Sequence, residues 1–527
     1  PQPDFAPYDG TQLHWMAGLP DRNWVMTRSG TTMAYLPEGR YVAIATRGPL
    51  EGLAAWEVPE TGNVSHTFVL GPGVSLPSSV AVDFHVHSSG RVDSLVPLTE
   101  RIWSLLAGGV QAFVGSDHGN ITDYRPVVKA LGVGALIRAI PGAEISIPRR
   151  SRSSMGHWNF WPLEPLVGAL PEEPEGHGVL PARDVKDADE MLKERRVPAL
   201  YDAYRRRARE LAALAHRRPE VDRVVIELNH PRGVLGPRRK PIHVHAFFSR
   251  VRFDPTRPVA PGSQDFLLAA TSQGTTALDF DTLEIWNRTS RDLYLQVRAD
   301  WFALLNQGFV RTGVANTDTH TVAPELIGYP MNVVFLPKDA PSGPTVRPAD
   351  LAAAVRAGRS IGTDGPVPLL AVTASSGETG HPGDLVSAPS GQVKVRVEVR
   401  AASWVPVGPI RLWINGRVAA EEEPETRAVA AGGRALRLDL QGDIGRQLAG
   451  LSGDPYSVVF TASLQLEGDA WILAEVGQPD DASFPGAGAS IYRQVSPHGL
   501  ALAFTNPVLV DTNGNGRFDP PGPTPAR

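Results

Sequence analysis

The chain carries 14 histidines and no cysteine, so a transition-metal site here must be built from imidazoles and carboxylates. The missing cysteines also exclude disulfides, zinc ribbons, iron–sulfur clusters and thiol nucleophiles. In the middle of the chain, ligand-type residues recur at the ends of apolar runs. Val80–Phe84 leads into His85 and His87, Ala112–Ser116 into Asp117 and His118, and Leu136–Ile140 into Glu144. His157 precedes Trp158–Trp161, and Val224–Leu228 ends in Asn229 and His230. Leu283–Trp286 ends in Asn287, and Val310–Ala315 in Asn316, Asp318 and His320. In a parallel barrel the C-terminal ends of all strands face one mouth, where active sites form. The placement predicts that these residues, distant in sequence, meet in one pocket.

Strand side chains alternate, so His85 and His87 project to one face and can grip one ion; Asp318 and His320 share that spacing. The candidate ligands are His85, His87, Asp93, His118, Glu144, His157, His230, Asp318 and His320. That set exceeds what one four- to six-coordinate ion uses and predicts two or three divalent ions (Zn, Mn or Fe) sharing a bridging carboxylate. Such ions depress the pKa of bound water towards about 7 and polarise an ester oxygen, so the expected chemistry is hydrolysis by a metal-bridging hydroxide. Asp318 is expected to orient that hydroxide or take its proton, and a remaining imidazole such as His320, or a metal-bound water, to protonate the leaving group. Arg232, directly after His230 and Pro231, offers a planar fork for an anionic substrate group, with a plain surface arginine as the alternative.

At about 150 residues per domain, 527 residues suggest three or four domains' worth of material. Residues 1–80 carry short β-type runs, Tyr41–Ala45 and Thr67–Leu70, and read as a small β domain. Residues 81–370 alternate β-type runs with helical stretches, Leu98–Gly108 and Met191–Arg217, the pattern of an α/β fold with a parallel sheet or barrel. A Pro- and Arg-rich insertion interrupts this region at about 233–270. Residues 371–527 return to period-two strands, Val393–Arg400 and Ser457–Leu466, and predict a β-sandwich. No apolar run approaches the roughly 20 residues of a membrane span. A net charge of −5 without a Lys/Arg block argues against a nucleic-acid partner. A chain opening at Pro1 is expected to be a mature or trimmed form, which favours an extracytoplasmic location.

The strings Asp83-Phe-His-Val-His-Ser88, Ser116-Asp-His-Gly-Asn120, Gly142-Ala-Glu144, Gly156-His157, Asn229-His-Pro231 and Asp318-Thr-His320 resemble the polymerase-and-histidinol-phosphatase (PHP) metallohydrolases. Pro348–Pro366, Thr505-Asn-Pro507 and Asp511–Phe518 are similar to the carbaryl-hydrolase-type branch. The resemblance implies a distorted (β/α)7 TIM-like PHP barrel flanked by N- and C-terminal β-sandwich-type domains. It implies one ion on His85, His87, Glu144 and Asp318, and a second on Glu144, His157 and His230 with Glu144 bridging. A third would lie on Asp93, His118 and His320, Asp93 matching by loop spacing alone. The expected substrate is a small-molecule ester, a phosphodiester or aryl phosphoester first; the branch implies a carbamate or carboxylic ester as the alternative. A third reading is a non-catalytic protein whose metals stabilise a binding scaffold.

Around these residues, Asp117 is expected to orient the neighbouring imidazole. Asn120, Trp286 and Asn287 are expected to shape the pocket, with packing explaining Trp286 equally well. Trp158, Phe160 and Trp161 read as core, with an apolar substrate wall as the alternative. His243-Val-His245 lies in the insertion without a carboxylate pattern and reads as structural or solvated, its rival role being a substrate-contact loop above the mouth. Asp511, Asn513 and Asn515 with Gly516 begin a calcium loop, but Gly522 stands where an EF-hand needs Glu. The open choices there are a partial calcium site including Asp519 and a plain polar turn.

Overall fold

In the computed structural model, the described residues are 26–27, 30–33, 36, 39–90, 94–146, 156–165, 197–202, 224–235, 241–242, 245–288, 290–322, 326–422, 453–477, 479, 491–496 and 498–523. They form a mixed α/β structure dominated by sheet, with few helices. The hairpin β1 (Tyr41–Thr46) and β2 (Leu53–Val58) is antiparallel. Thr67–Leu70, expected as a strand, lies outside any sheet. Among the described residues this hairpin pairs with no third strand, and two strands cannot bury a core of their own; Leu53, Val42 and Ile44 instead join the core of the C-terminal sheets.

The middle region builds two sheets that share a corner. β3 (Ser79–Val86), β4 (Ala112–Gly115) and β5 (Arg138–Pro141) pair in parallel. At Gly142 the chain leaves this sheet and continues as β6 (Ala143–Ser146) in the second. The bend needs glycine: a Cβ there would sit 2.6 Å from the Val114 side chain and 3.0 Å from the Phe160 carbonyl. β6 pairs antiparallel with β7 (His157–Trp161), and β7 antiparallel with β8 (Val225–Asn229). The insertion then supplies the short hairpin β9 (Val234–Leu235) and β10 (Pro241–Ile242). It also buries Phe247, Phe248, Phe253 and Leu267 in the main core, so it is part of the packing and not an appendage. β11 (Thr282–Asn287) pairs in parallel with β8 and with β12 (Thr312–Asn316). The expectation that every strand ends at the same mouth therefore fails for β7, which runs the other way. Because its ligand opens the strand instead of closing it, the reversal carries His157 to the edge where the parallel strands end.

Between β12 and β3 the described residues show one isolated bridge, Val86 to Thr319. Side chains do most of the joining there. Asn316 Oδ1 accepts from Phe84 N at 3.1 Å, and Thr317 donates to Asp83. Asn332, on β13 (Met331–Phe335), donates to Ala315 O at 2.6 Å and accepts from Ala315 N at 2.8 Å. Helices Leu98–Ala107, Arg125–Ala130, Arg291–Asn306 and Pro348–Arg356 accompany these strands. Of the helix expected over Met191–Arg217, residues 197–202 are described and are helical.

The boundary expected near residue 370 is crossed by a continuous sheet. β13 pairs antiparallel with β3 and with β14 (Ser360–Thr363), and β14 pairs with β23 (Ala503–Thr505). From β23 the same sheet extends through β22 (Ala470–Val476) and β24 (Val508–Asp511) to β17 (Leu385–Ser387), with β19 (Ile410–Ile414) and β20 (Arg417–Glu422) alongside. A second, antiparallel sheet holds β16 (Thr379–Gly380), β15 (Val367–Ala374), β18 (Gln392–Ala401) and β21 (Tyr456–Gln465). Val393, Val395, Val397 and Val399 are buried while Lys394 and Arg396 are exposed, as the period-two reading requires. These valines share a core with Ile472, Ala474, Val508 and Val510 of the other sheet, which is sandwich packing.

Two contacts weld the halves together. Arg298 donates to both Glu475 oxygens at 2.8 Å and stacks over Trp413 at 4.8 Å, while Tyr294 and Trp413 also donate to Glu475. Gly362 lies under the Phe504 ring, 2.5 Å from where a Cβ would stand. Glu475→Ala removes the buried carboxylate that Arg298, Tyr294 and Trp413 share and is expected to destabilise the chain by about 3–5 kcal/mol in urea unfolding. Gly362→Ala forces the Phe504 ring aside and is expected to lower stability by about 1–3 kcal/mol, read as a fall in the same denaturation midpoint.

Candidate metal centre

The strand edges defined above deliver their side chains to one point, the carboxylate of Glu144. Its oxygens lie 3.3 Å from His85 Nε2, 3.6 Å from His87 Nε2, 2.8 Å from His118 Nδ1, 3.0 Å from His157 Nδ1 and 3.3 Å from His230 Nε2. Asp318 faces the same point from the other side, with Oδ1 3.3 Å from His85 Nε2 and 3.2 Å from His87 Nε2. His85, His87, Glu144, His157, His230 and Asp318 are all buried; His118 and His320 are 30 % exposed and mark the mouth. Four groups of ligand atoms here lie within 4.8 Å of one another: His85/His230/Asp318, His85/His87/Glu144, His87/Asp318/His320 and His118/Glu144/His157. Such groups could hold a metal ion.

The electrostatics ask for positive charge. Burial raises the Glu144 carboxyl, but His157, His85 and His118 outweigh it and hold it well below the usual carboxylate range. Burial acts likewise on Asp318, where His85 and Arg288 prevail and hold it well below. His85 is pulled down by burial and pushed further up by Asp318, Glu284 and Glu144, ending well above an ordinary imidazole. Burial lowers His87 to about 3, helped by nearby His320, and lowers His157 to about 3 against the pull of Glu144. Neutral imidazoles carry the lone pairs that a metal needs, and ionised carboxylates complete the donor set. His157 Nε2 and His230 Nδ1 are buried without a hydrogen-bond partner among the described residues.

The backbone is strained at this edge. His230, Arg288 and Asp318 adopt left-handed φ values of 25°, 53° and 47°. Non-glycine residues in that region cost of order 1–3 kcal/mol each and persist only where surrounding contacts over-determine them. The contacts are present: His230 N donates to Glu284 at 2.6 Å, Arg288 N to Asn316 O at 2.9 Å, and Arg288 Nη2 to Asp318 O at 2.9 Å.

Not every expected role is met. Asp93, one of the three residues of the third ligand set, falls outside the described residues; so does His243. Within that set His118 groups with Glu144 and His157, whereas His320 groups with His87 and Asp318. Arg232 turns away from the cluster: Nε and Nη2 close on Asp300 at 2.6 and 2.5 Å, and Nη2 also donates to Phe253 O. An arginine held between a buried carboxylate and two phenyl rings anchors the insertion instead of presenting its fork to substrate. Asp117 accepts from Ser88 N, Ser88 Oγ and Tyr124 OH, while the His118 nitrogens meet Glu144 and Ser146. Asn120 braces a loop through Gly90 O and Thr122. Asn287 belongs to the cluster, donating to Glu284 and Asp318, whereas Trp286 is buried core, as are Trp158, Phe160 and Trp161. At the calcium-type loop, Asp511 accepts from the amides of Asn513, Gly514 and Gly516, and Asp519 accepts from the Asn513 and Asn515 side chains. The loop's carboxylates therefore accept from its own backbone and asparagine side chains, the hydrogen bonding of a polar turn.

The sequence reading passed over Glu227, Glu284 and Arg288, and set His245 aside. Glu227 and Glu284 are wholly buried, and with His85 they form a further group of ligand atoms within 4.8 Å. Burial and the Glu284 charge push Glu227 well above the usual carboxyl range. Each is a carboxylate inside an apolar strand, and that was the available signal. The His245 ring lies 4.6 Å from His157, so the insertion reaches this cluster. A scan of the chain against protein-family models finds no match, and a search of curated proteins likewise returns none.

Proposed function

We propose that the chain is a metal-dependent hydrolase of the PHP type, in its carbaryl-hydrolase-type branch, acting on a phosphoester. The observation that carries the proposal is Glu144: one buried carboxylate faces five imidazoles at 2.8–3.6 Å. Hydrogen bonds alone cannot serve five ring nitrogens with two oxygens, whereas a carboxylate bridging two cations can. In this reading one ion takes His85, His87, Glu144 and Asp318, and the second takes Glu144, His157 and His230. Bound zinc, manganese or iron would acidify water and polarise the ester oxygen. The chain's own residues hold Asp318 ionised beside His85 and Arg288, where it can accept a hydrogen bond from the attacking water and orient it. Strands β3, β4, β5/β6, β7, β8, β11 and β12 follow one another in that spatial order, with the Val86–Thr319 bridge between last and first. That order supports a distorted seven-stranded barrel.

The partly exposed groups around the buried floor, His320, Arg288 and His245, bring nitrogen-bearing side chains suited to anionic phosphoryl oxygens to the mouth. Trp158, Phe160 and Trp161 are wholly enclosed in the interior, which removes the apolar wall that would have favoured an aryl carbamate. Turnover of an aryl phosphodiester and an aryl carbamate on one preparation decides between them: the diester is expected to be cleaved faster, and cleavage of the carbamate alone overturns the phosphoester assignment. His85→Ala and Asp318→Ala are each expected to lower turnover at least about 100-fold and to release metal, with circular dichroism of the β-rich chain unchanged. Chelation should abolish activity and added zinc or manganese restore it; full activity in chelator, with no metal by elemental analysis, would refute the metal dependence of the reaction.

A further inference from the structure

We infer that Glu284 is the positioning residue of this centre, fixing the ring of His85 and the backbone of His230 so that both face the ions. The inference rests on the metal reading above and extends it to a residue outside the proposed ligand set. Glu284 sits in the middle of β11 and is wholly buried. Both of its oxygens are engaged. Oε1 meets His85 Nδ1 at 3.0 Å and accepts from Asn316 Nδ2 at 3.1 Å. Oε2 accepts from His230 N at 2.6 Å and from Asn287 Nδ2 at 3.1 Å.

An imidazole has two nitrogens, and these two face different ways. His85 Nε2 lies 3.3 Å from both Glu144 and Asp318, towards the ions' pocket, while Nδ1 faces Glu284. Oε1 already accepts from Asn316, and with the same oxygen as acceptor for Nδ1, Nε2 is the nitrogen left facing the ions' pocket. Carboxylate–histidine–metal relays of this kind fix the ring's orientation and raise its basicity. At His230 the same carboxylate works through the backbone: its hydrogen bond holds a residue whose φ of 25° is unfavourable by itself. Asn287 Nδ2 also lies 3.3 Å from Asp318 Oδ2, so the reach of Glu284 extends to a third ligand.

Glu284→Gln keeps the shape but supplies one acceptor oxygen in place of two. Its NH2 must face either the His85 Nδ1–H or the His230 N–H, donor against donor, so no rotamer preserves both contacts. The test strips the full-length chain with a chelator and titrates it with zinc against a competing chelator, alongside thermal unfolding of the stripped protein. Wild type is expected to bind zinc, Glu284→Gln about 10–100-fold more weakly, and Glu284→Asp, which keeps the charge on a shorter stem, in between. Zinc affinity of folded Glu284→Gln within twofold of wild type overturns the inference, as does loss of unfolding temperature in both variants with unchanged affinity. If Glu284→Gln does not fold, wild-type affinity in Glu284→Asp overturns it equally. Failure of wild type to bind zinc, manganese or iron overturns the metal centre itself and this inference with it. Cobalt substitution gives a second readout: the visible d–d bands should shift in Glu284→Gln, which a purely structural role would leave in place.

Discussion

The molecule is organised around buried negative charge that must be neutralised. Glu144 and Asp318 are ionised carboxylates in an interior where charge is expensive unless paired. Imidazoles from β3, β7 and the edge of β8 surround them, and the remaining arrangement follows from that demand. Glu144 can occupy the centre because the chain turns at Gly142, ending one sheet as β5 and starting the next as β6. The antiparallel β7 then brings His157 up beside it, and β8 ends at His230 on its other flank.

Holding such a centre costs backbone strain and buried polarity, and the structure offsets both with side-chain hydrogen bonds. The β12–β3 seam is joined by Asn316, Asn332, Thr317 and Asp83 more than by a strand ladder. Asn506, from the C-terminal half, donates to Gly313 O at 2.9 Å and accepts from Gly313 N at 2.6 Å, clamping the strand that carries Asp318. Trp301, Phe302, Trp471 and Phe504 lie in one core across the same boundary. The sandwich therefore acts as a brace for β12 as well as a separate fold unit, which explains why a single sheet runs through both.

Much of the buried His/Glu/Asp cluster was legible because two local regularities converge: apolar β-type runs, and imidazoles or carboxylates at their ends. His85, His87, Glu144, His157, His230 and Asp318 were all found this way, and the valine alternation of β18 announced the sandwich equally well. The misreadings have one cause. Arg232 and Asp117 were judged by their neighbours in sequence, whereas their partners are Asp300, and Ser88 with Tyr124, none of them adjacent in the chain.

Residue chemistry and strand periodicity are local properties, so the amino-acid order alone determined which side chains could bind an ion and which segments would be strands. Strand direction, sheet boundaries and the partner of each polar group depend on contacts between segments far apart in the chain. Only the tertiary structure could reverse β7, run one sheet through residue 370, close Arg232 onto Asp300 and place Glu284 behind His85. The physical reason is that a buried charge is stabilised by whatever lies within a few ångströms, and covalent order does not fix what that will be.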